Sequence, residues 1–423
     1  MTSKAAWTIL VYIAAHNDLD RAGQRTLAQL QQVGSRNGIQ LAALLDGWSG
    51  ASRYLIGAIP DELLTESLGR FDSGDPQMLL ETAKWAFERH PAERYGLILW
   101  SHGTGYWNDR DFKQITAQVR GPSALTTPKD RAASTTSMAL FRTTLEAILK
   151  VASPDERAIL FDDGTQHSLD TLQLHSVVRE LAQFVGQPLD LLGMDACLMG
   201  NLEVAYQVRN EVQCYVGSEE LVPEQSWPYD AIVRRLQDRP HLTGVELGQT
   251  IVADYSAFYA AHPPGAGDVT KIALNLEGID QVIQPLRTLA TALQSNMLAH
   301  VHLLWQLQRD RFIVETRNER RVPNKFKYFL WDLAALADGL AISPDVQVRE
   351  AAGAVARALR QGPALIAEAH QGDWFDGTGG LSIYMAPTAQ DTPVSKAYAE
   401  LALAQDIGWY DLLTLYKQQI QNL

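Results

Sequence analysis

The sequence has few cysteines, and their number excludes several kinds of protein. Only Cys197 and Cys214 occur in 423 residues. Two cysteines cannot form the disulfide framework of a small secreted protein, or a zinc site built from several cysteine ligands. We therefore interpret both as free thiols, which is typical of a reducing compartment.

Long apolar runs and a recognisable signal peptide are also lacking. No apolar run approaches the roughly 18 residues of a membrane-spanning helix. The first apolar segment, residues 7–15, is short, and no small-residue cleavage site closes it. We therefore expect a soluble, cytoplasmic protein that has no membrane partner.

Positive charge is scarce relative to negative charge. The chain has 36 basic and 49 acidic residues, which give a formal charge of −13. Nucleic-acid binding requires clustered Lys and Arg, so this balance argues against a nucleic-acid partner. The glycine-rich motifs GxGxxG and GxxxxGK are missing as well, which argues against a nucleotide-dependent α/β enzyme.

Short apolar runs alternate with helical patterns along the first half of the chain. The runs are typical of strands that are buried on both faces, and they cover residues 7–15, 39–45, 95–100, 189–194 and 214–217. The helical patterns cover residues 17–33, 76–89 and 168–184. This alternation predicts an α/β fold with a mostly parallel sheet and helices on both faces.

The chain is predicted to divide into a first domain, residues 1–265, and a helix-rich C-terminal α/β accessory region, residues 266–423. In the accessory region we expect strands at 269–276 and 381–385, which either extend the main sheet or form a second one. Helical patterns cover 278–305 and 344–370. A polar segment at 108–137 interrupts the first domain and is interpreted as a loop insertion.

A histidine follows the third apolar run. Residues 95–100 lead into Ser101, His102 and Gly103, and ligand sites of open α/β sheets lie at the carboxyl ends of the strands. Histidine exchanges protons near neutral pH. Gly103 permits close approach of its backbone to a substrate. An incidental histidine in a strand-ending turn is the structural alternative.

A cysteine follows the fourth apolar run. Cys197 comes just after residues 189–194 and shortly before a helical segment that begins near Asn201. A nearby helix N-terminus and an imidazole would both lower the pKa of this thiol and favour the nucleophilic thiolate. Cys214 lies inside an apolar strand, and we interpret it as a core residue.

His102 and Cys197 together form a pair suited to covalent acyl transfer. If their strands are neighbours, the spacing of under about 5 Å lets the two side chains face each other. The backbone N–H groups of Gly103 and Cys197 are the expected oxyanion donors.

These segments resemble the clostripain-type cysteine peptidases. The resemblance rests on His102-Gly103 after a strand, on the string Asp195-Ala196-Cys197-Leu198-Met199 after the next, and on Gly217-Ser218-Glu219-Glu220. It covers roughly residues 7–235. It implies a caspase-like fold and hydrolysis of peptide or protein substrates, commonly after a basic P1 residue.

The resemblance also implies acidic groups that receive the basic P1 side chain. The matching residue is Asp195, for which a helix cap is the structural alternative. Gln225 stands where a second acidic residue is expected, and Glu219 or Glu224 is predicted to substitute for it. P1 specificity is therefore more open than catalysis.

Zymogen processing and calcium are two further features that the resemblance implies. The 108–137 segment is the expected site of self-cleavage, for example after Lys129 or Arg131. The chemistry requires no cofactor. Calcium is suggested only by the resemblance, with Asp162 and Asp163 as ligands, because no EF-hand loop is present.

Two alternatives to a peptidase remain open on the same fold. One is a catalytically inactive caspase-like scaffold, which the presence of both His102 and Cys197 argues against. The other is a cysteine-dependent acyl-transferase, which shares the two residues but uses an amine acceptor in place of water. The sequence gives no indication of oligomeric state.

Overall fold

The computed structural model describes residues 4–60, 62–107, 157–165, 167–262, 269–310, 330–372, 375, 377–385 and 394–420. The predicted insertion at 108–137, with Lys129 and Arg131, lies outside the described residues. Within the described ranges, no helix is long and apolar enough to cross a membrane.

The strands of the described chain are short and belong to three sheets. In chain order they are β1 (Ala5–Ala14), β2 (Ile39–Gly47), β3 (Gly50–Ile56), β4 (Leu63–Gly69), β5 (Ala92–Trp100), β6 (Gly103–Trp107), β7 (Arg157–Asp162), β8 (His167–Leu169), β9 (Leu189–Asp195), β10 (Val212–Gly217), β11 (Val269–Asn275), β12 (Leu330–Asp332), β13 (Leu365–Gln371) and β14 (Ser382–Tyr384).

Helices connect most of these strands. They are α1 (Asp20–Val33), α2 (Pro76–Arg89), α3 (Thr171–Val185), α4 (Leu202–Gln207), α5 (Tyr229–Asp238), α6 (Gly244–Ala261), α7 (Asp280–Ser295), α8 (Met297–Asp310), α9 (Leu333–Leu340), α10 (Val346–Gln361), α11 (Ala402–Ile407) and α12 (Trp409–Ile420). The predicted start of α2 is confirmed, because Asp75 caps it and Pro76 occupies its first turn.

The main sheet has nine strands in the order β13-β11-β10-β9-β5-β1-β2-β3-β4. The central strands β10, β9, β5, β1 and β2 are all parallel. Antiparallel strands extend the sheet on both sides, with β11 and β13 at one edge and β3 and β4 at the other. This arrangement confirms the predicted caspase-like α/β class with a mostly parallel sheet.

Both faces of the sheet are buried, which explains the apolar character of its strands. Alternate residues of a strand point to opposite faces. Leu97 and Leu99 of β5 belong to one apolar cluster, which packs against α2, α3 and α7. Ile98 and Trp100 belong to the other cluster, which packs against α1, α5 and α6. Helices therefore cover both faces, as the sequence predicts.

The C-terminal segment contributes two strands to the main sheet. β11, predicted at 269–276, pairs antiparallel with β10, and β13 pairs antiparallel with β11. The strand predicted at 381–385 instead pairs with β12 in a separate two-stranded sheet. The domain boundary between 265 and 266 stays a prediction.

Two helical predictions for this segment are wrong in part. The pattern at 344–370 ends as a helix at Gln361, and residues 365–371 form β13 because Gly362 and Pro363 stop the helix. The pattern at 278–305 is two helices, α7 and α8, which meet at Asn296.

Candidate active site

The two predicted catalytic side chains follow neighbouring strands. β5 and β9 pair in parallel, with Trp100 opposite Asp195, and this confirms the predicted neighbourhood of the two strands. His102 and Cys197 come two residues after these positions. Both side chains line one cavity, together with Trp100, Asp195, Val222 and Ser226.

A carboxylate orients the histidine. His102 is 1% exposed, and its Nε2 lies 2.8 Å from Oδ1 of Asp18. Asp18 follows β1, which is the other neighbour of β5 in the sheet. A carboxylate hydrogen bond of this kind fixes the orientation and tautomer of an imidazole. Asp18 is a site residue that the sequence-based prediction missed.

The turn that carries Asp18 is itself held in place. The side chain of Asn17 donates to the carbonyl of Phe161 at 2.7 Å and accepts from the N–H of Leu19 at 2.9 Å. The hydroxyl of Ser101 donates to the carbonyl of Ala14 at 2.9 Å. These bonds tie the ends of β1 and β5 together, so the Asp18–His102 contact rests on a fixed backbone.

Cys197 lies at a sharp turn and contacts the segment that contains Val222. Cys197 is 4% exposed, and the N–H of Val222 donates to its Sγ at 3.3 Å. The next residue, Leu198, has φ of +62°, an unusual conformation for a non-glycine residue. Backbone strain of this type is common where a side chain is presented for chemistry.

The predicted effect of a helix N-terminus on this thiol has no support in the geometry. α4 begins five residues later, at Leu202, and the side chain of Asn201 caps it by accepting from the N–H of Val204. The donor that does reach the sulfur is the N–H of Val222. The thiol in turn donates to the carbonyl oxygen of Val222 at 3.9 Å.

Gly103 packs directly against the nucleophile segment. A Cβ added at this position would lie 2.6 Å from the carbonyl oxygen of Cys197 and 2.9 Å from Cγ of Met199. Only glycine therefore fits without a backbone shift. The backbone of Gly103 thus lies beside that of Cys197, and the role of their N–H groups as oxyanion donors stays a prediction.

Asp195 lines the cavity and is itself buried. Its Oδ2 accepts hydrogen bonds from the hydroxyls of Ser226 and Tyr229, the latter at 2.8 Å, and from the N–H of Trp227 at 3.3 Å. Burial raises the pKa of this carboxyl, while Lys271 and the donors oppose that shift. Its Oδ1 is buried and lacks a hydrogen-bond partner among the described residues.

The structural alternative for Asp195, a helix cap, does not apply to α4, because Asn201 occupies that position. The carboxylate instead attaches the segment before α5 to the end of β9. One oxygen thus has a structural role, and the other is buried without a hydrogen-bond partner among the described residues.

The structure does not bring Glu219 to this cavity. Its carboxyl group hydrogen bonds with that of Asp332, whose pKa burial raises to about 6. Glu224 does line the cavity rim, but its side chain is 47% exposed and pairs with Arg25 at 2.7 Å. Gln225 is exposed. Asp195 is therefore the acidic residue among these that lies deep in the cavity.

Cys214 is a core residue, as predicted. It is fully buried in β10, and burial raises the pKa of its thiol. A protonated thiol without solvent access is unreactive. Cys197 is thus the candidate nucleophile.

His16, Asp46 and Asp162 form a cluster whose ligand atoms all lie within 4.8 Å of one another. Asp162 already accepts from the N–H groups of Gly164 and Thr165, at 2.7 and 3.1 Å. Calcium takes about six to eight oxygen ligands, and an imidazole nitrogen is a poor ligand for it. The cluster of His16, Asp46 and Asp162 therefore does not fit calcium, while calcium at Asp162 and Asp163 stays a prediction through which we derive no step.

A family model matches most of the chain. The family model described as Peptidase_C11, the clostripain family, matches residues 11–122 and 143–414. None of the curated proteins compared with the chain matches it.

Two solved structures share the fold over nearly the whole chain. One is a secreted C11 cysteine protease from Bacteroides thetaiotaomicron in complex with an irreversible peptide inhibitor, with a TM-score of 0.61, 18% identity, and 97% of this chain and 99% of that chain covered. The other is an inactive zymogen C11 protease from Parabacteroides distasonis, with a TM-score of 0.59, 18% identity, and 96% and 99% covered.

Proposed function

The chain belongs to the clostripain family of cysteine proteases, and we propose that it is an endopeptidase that uses Cys197 as nucleophile and His102 as general base and acid. The observation that carries this proposal is the shared cavity. His102 and Cys197 follow adjacent parallel strands and both line it. Placing a base beside a nucleophile is the general requirement for covalent acyl transfer.

The proposed reaction has two stages. His102 accepts the thiol proton, and the Cys197 sulfur attacks the scissile carbonyl carbon to form a tetrahedral oxyanion. The C–N bond then breaks, His102 gives its proton to the departing amine, and a thioester remains. Water, deprotonated by His102, attacks the thioester and releases the second product together with the free thiol.

Surrounding groups assist each stage. The Asp18 contact occupies Nε2 of His102, so proton exchange with sulfur and substrate runs through Nδ1. The N–H of Val222 stabilises the thiolate. The N–H groups of Gly103 and Cys197 are the proposed oxyanion donors, supported by the close packing of the two backbones.

Asp195 is the proposed receptor of a basic P1 side chain. Its buried Oδ1 lacks a partner among the described residues, and an Arg or Lys side chain entering the cavity would supply the missing donor. Glu224 is at most a rim contact, because it is exposed and pairs with Arg25. Specificity for Arg or Lys therefore depends mainly on Asp195.

A fluorogenic peptide panel varied at P1 tests the proposal. We expect wild type to hydrolyse Arg and Lys peptides fastest at pH 8, and Cys197→Ala to hydrolyse none. Cys214→Ala is the matched control, because it removes the other thiol and should retain the activity. Equal rates for wild type and Cys197→Ala would contradict the mechanism.

We also propose that the chain cuts itself within 108–137, after Lys129 or Arg131. Both residues are basic, as the proposed P1 preference requires. Purified wild type should yield two fragments, whereas Cys197→Ala and a Lys129→Gln/Arg131→Gln double variant should stay intact. A single uncut band for wild type, identical to that of Cys197→Ala, would refute self-cleavage.

A further inference from the structure

A fully buried lysine packs against the rings of Trp227 and Tyr255. Lys271 lies in β11 and is 0% exposed. Its Nζ has no hydrogen-bond partner within the described part of the chain. The ammonium instead lies 4.7 Å from the ring centre of Trp227 and 4.1 Å from that of Tyr255. Fully buried lysines are rare, because desolvating an ammonium group is expensive.

This lysine faces the residues of the active site. Trp227 supplies one of the N–H groups bound by Asp195, so its ring and backbone connect the ammonium with the carboxylate. The negative charges that act on Lys271 are those of Asp195 and Cys197. Tyr255, on α6, is the other titratable group facing it, and burial raises the pKa of that phenol, which stays neutral.

The carboxylate of Asp195 and the ammonium of Lys271 are thus enclosed in one apolar region, and each has an atom without a hydrogen-bond partner among the described residues. Asp195 Oδ1 lacks a donor, and Lys271 Nζ lacks an acceptor. A basic P1 side chain that reaches Asp195 would therefore bring a second cation into a region that already holds one. In a water-poor site, two cations sharing one carboxylate repel each other strongly.

We propose that Lys271 is a specificity-determining residue of this peptidase, whose ammonium competes with a basic P1 side chain for the charge of Asp195. The inference rests on the proposed function and refines its P1 preference. A basic P1 residue is accepted when Lys271 is neutral and is disfavoured when Lys271 is protonated. An uncharged P1 residue of the same shape is not subject to this competition.

The preference should consequently depend on pH. Burial lowers the pKa of Lys271 to about 7, although Asp195 and Cys197 oppose that shift. If a basic P1 side chain binds only the protein in which Lys271 is neutral, its apparent affinity is proportional to the neutral fraction of Lys271. Single-proton linkage then gives a rise of about tenfold between pH 6 and pH 8.5.

Peptide binding to the uncleaving Cys197→Ala variant tests the inference without turnover. Two peptides that differ only at P1, with arginine or its uncharged isostere citrulline, are titrated by calorimetry at pH 6 and pH 8.5. The measured quantity is the ratio of the two affinities. Lys271→Met and Lys271→Arg are added to the same background, the first removing the charge and the second fixing it.

We expect the arginine-to-citrulline ratio of the parent to rise with pH, by less than tenfold because Cys197→Ala removes one of the two negative groups that hold the pKa of Lys271 up. Lys271→Met should show at pH 6 a ratio above that of the parent by the same factor as the parent's rise with pH, and Lys271→Arg a low ratio at both pH values. Should Lys271→Met fail to fold, Lys271→Arg decides: a ratio that still rises as in the parent overturns the inference. An unchanged ratio at pH 6 in a folded Lys271→Met overturns it too.

The outcome is separable from that of the proposed function. Peptides that bind with this pH dependence but are never hydrolysed by wild type would remove the peptidase function and keep the role of Lys271. If wild type and Lys271→Met hydrolyse peptides with the same P1 preference, the peptidase function stands and the role of Lys271 is refuted. Failure of all variants to bind either peptide would overturn the inference.

Discussion

The contact between Asp18 and His102 allows a quantitative prediction. Hydrogen bonds to charged groups contribute about 1.5–3 kcal/mol. The Asp18 side chain is 33% exposed, so solvent screening reduces this to about 1–2 kcal/mol. At about 1.4 kcal/mol for each factor of ten, Asp18→Ala should lower kcat/KM by about 5- to 30-fold.

A graded series separates the charge of this group from its hydrogen bond. Asp18→Asn keeps an acceptor oxygen and loses only the charge, so its loss should be smaller, about threefold to tenfold. Asp20→Asn is the matched control, because Asp20 binds Gln24 and the N–H of Trp48 instead of His102.

The assay is peptide hydrolysis at pH 8, together with the rate of Cys197 alkylation by iodoacetamide and the thermal midpoint Tm. An orienting role predicts slower hydrolysis and slower alkylation at unchanged Tm, with Asp20→Asn within about twofold of wild type. An Asp18→Ala variant that retains full kcat/KM at unchanged Tm would refute the reasoning.

Three further substitutions have defined outcomes. Gly103→Ala should lower kcat/KM at least about tenfold, because its Cβ would meet the carbonyl of Cys197 at 2.6 Å. The control Gly353→Ala, whose Cβ would meet only the end of a side chain, should retain the wild-type kcat/KM. Equal kcat/KM values for the two variants would contradict this prediction. Cys214→Ala should lower the free energy of unfolding, measured in urea, by about 1 kcal/mol and leave kcat/KM unchanged. A large loss of activity would argue against a purely structural role for this thiol. Burial raises the pKa of Glu203 from 4.5 to about 7, so folding takes up a proton there and the free energy of unfolding falls as pH rises from 4.5 to 7. Glu203→Gln should flatten this pH dependence, measured by denaturation curves. An unaltered slope of the free energy of unfolding against pH would contradict the assignment.

The position of the candidate site could be predicted because it depends on a local rule. Each buried strand, 95–100 and 189–194, is followed at once by a polar or reactive residue, and parallel strands place their carboxyl ends at one edge. Applied to the first strand, the same rule would have found Asp18, since the polar pair Asn17-Asp18 follows β1 closely. The P1 role of Asp195 stays a prediction.

The features that were missed depend on distant packing. Lys271 lies in an apolar strand that the sequence predicted, but its neighbours Trp227 and Tyr255 come from other parts of the chain. A lone charge within an apolar run was the available signal. β13 was interpreted as helix because its composition continues that of α10, although Gly362 and Pro363 marked the break. Pairing with β11 decides its conformation.

The reaction of one sulfur atom with a substrate-like electrophile tests the proposed mechanism most directly. A peptidyl chloromethyl ketone with P1 arginine, incubated with the protein at pH 8 and followed by peptide mass mapping, reports which thiol reacts. We predict one adduct, on Cys197, with Cys214 unmodified and with labelling strongly slowed in His102→Ala. An unmodified Cys197, or equally fast labelling in His102→Ala, would contradict the account.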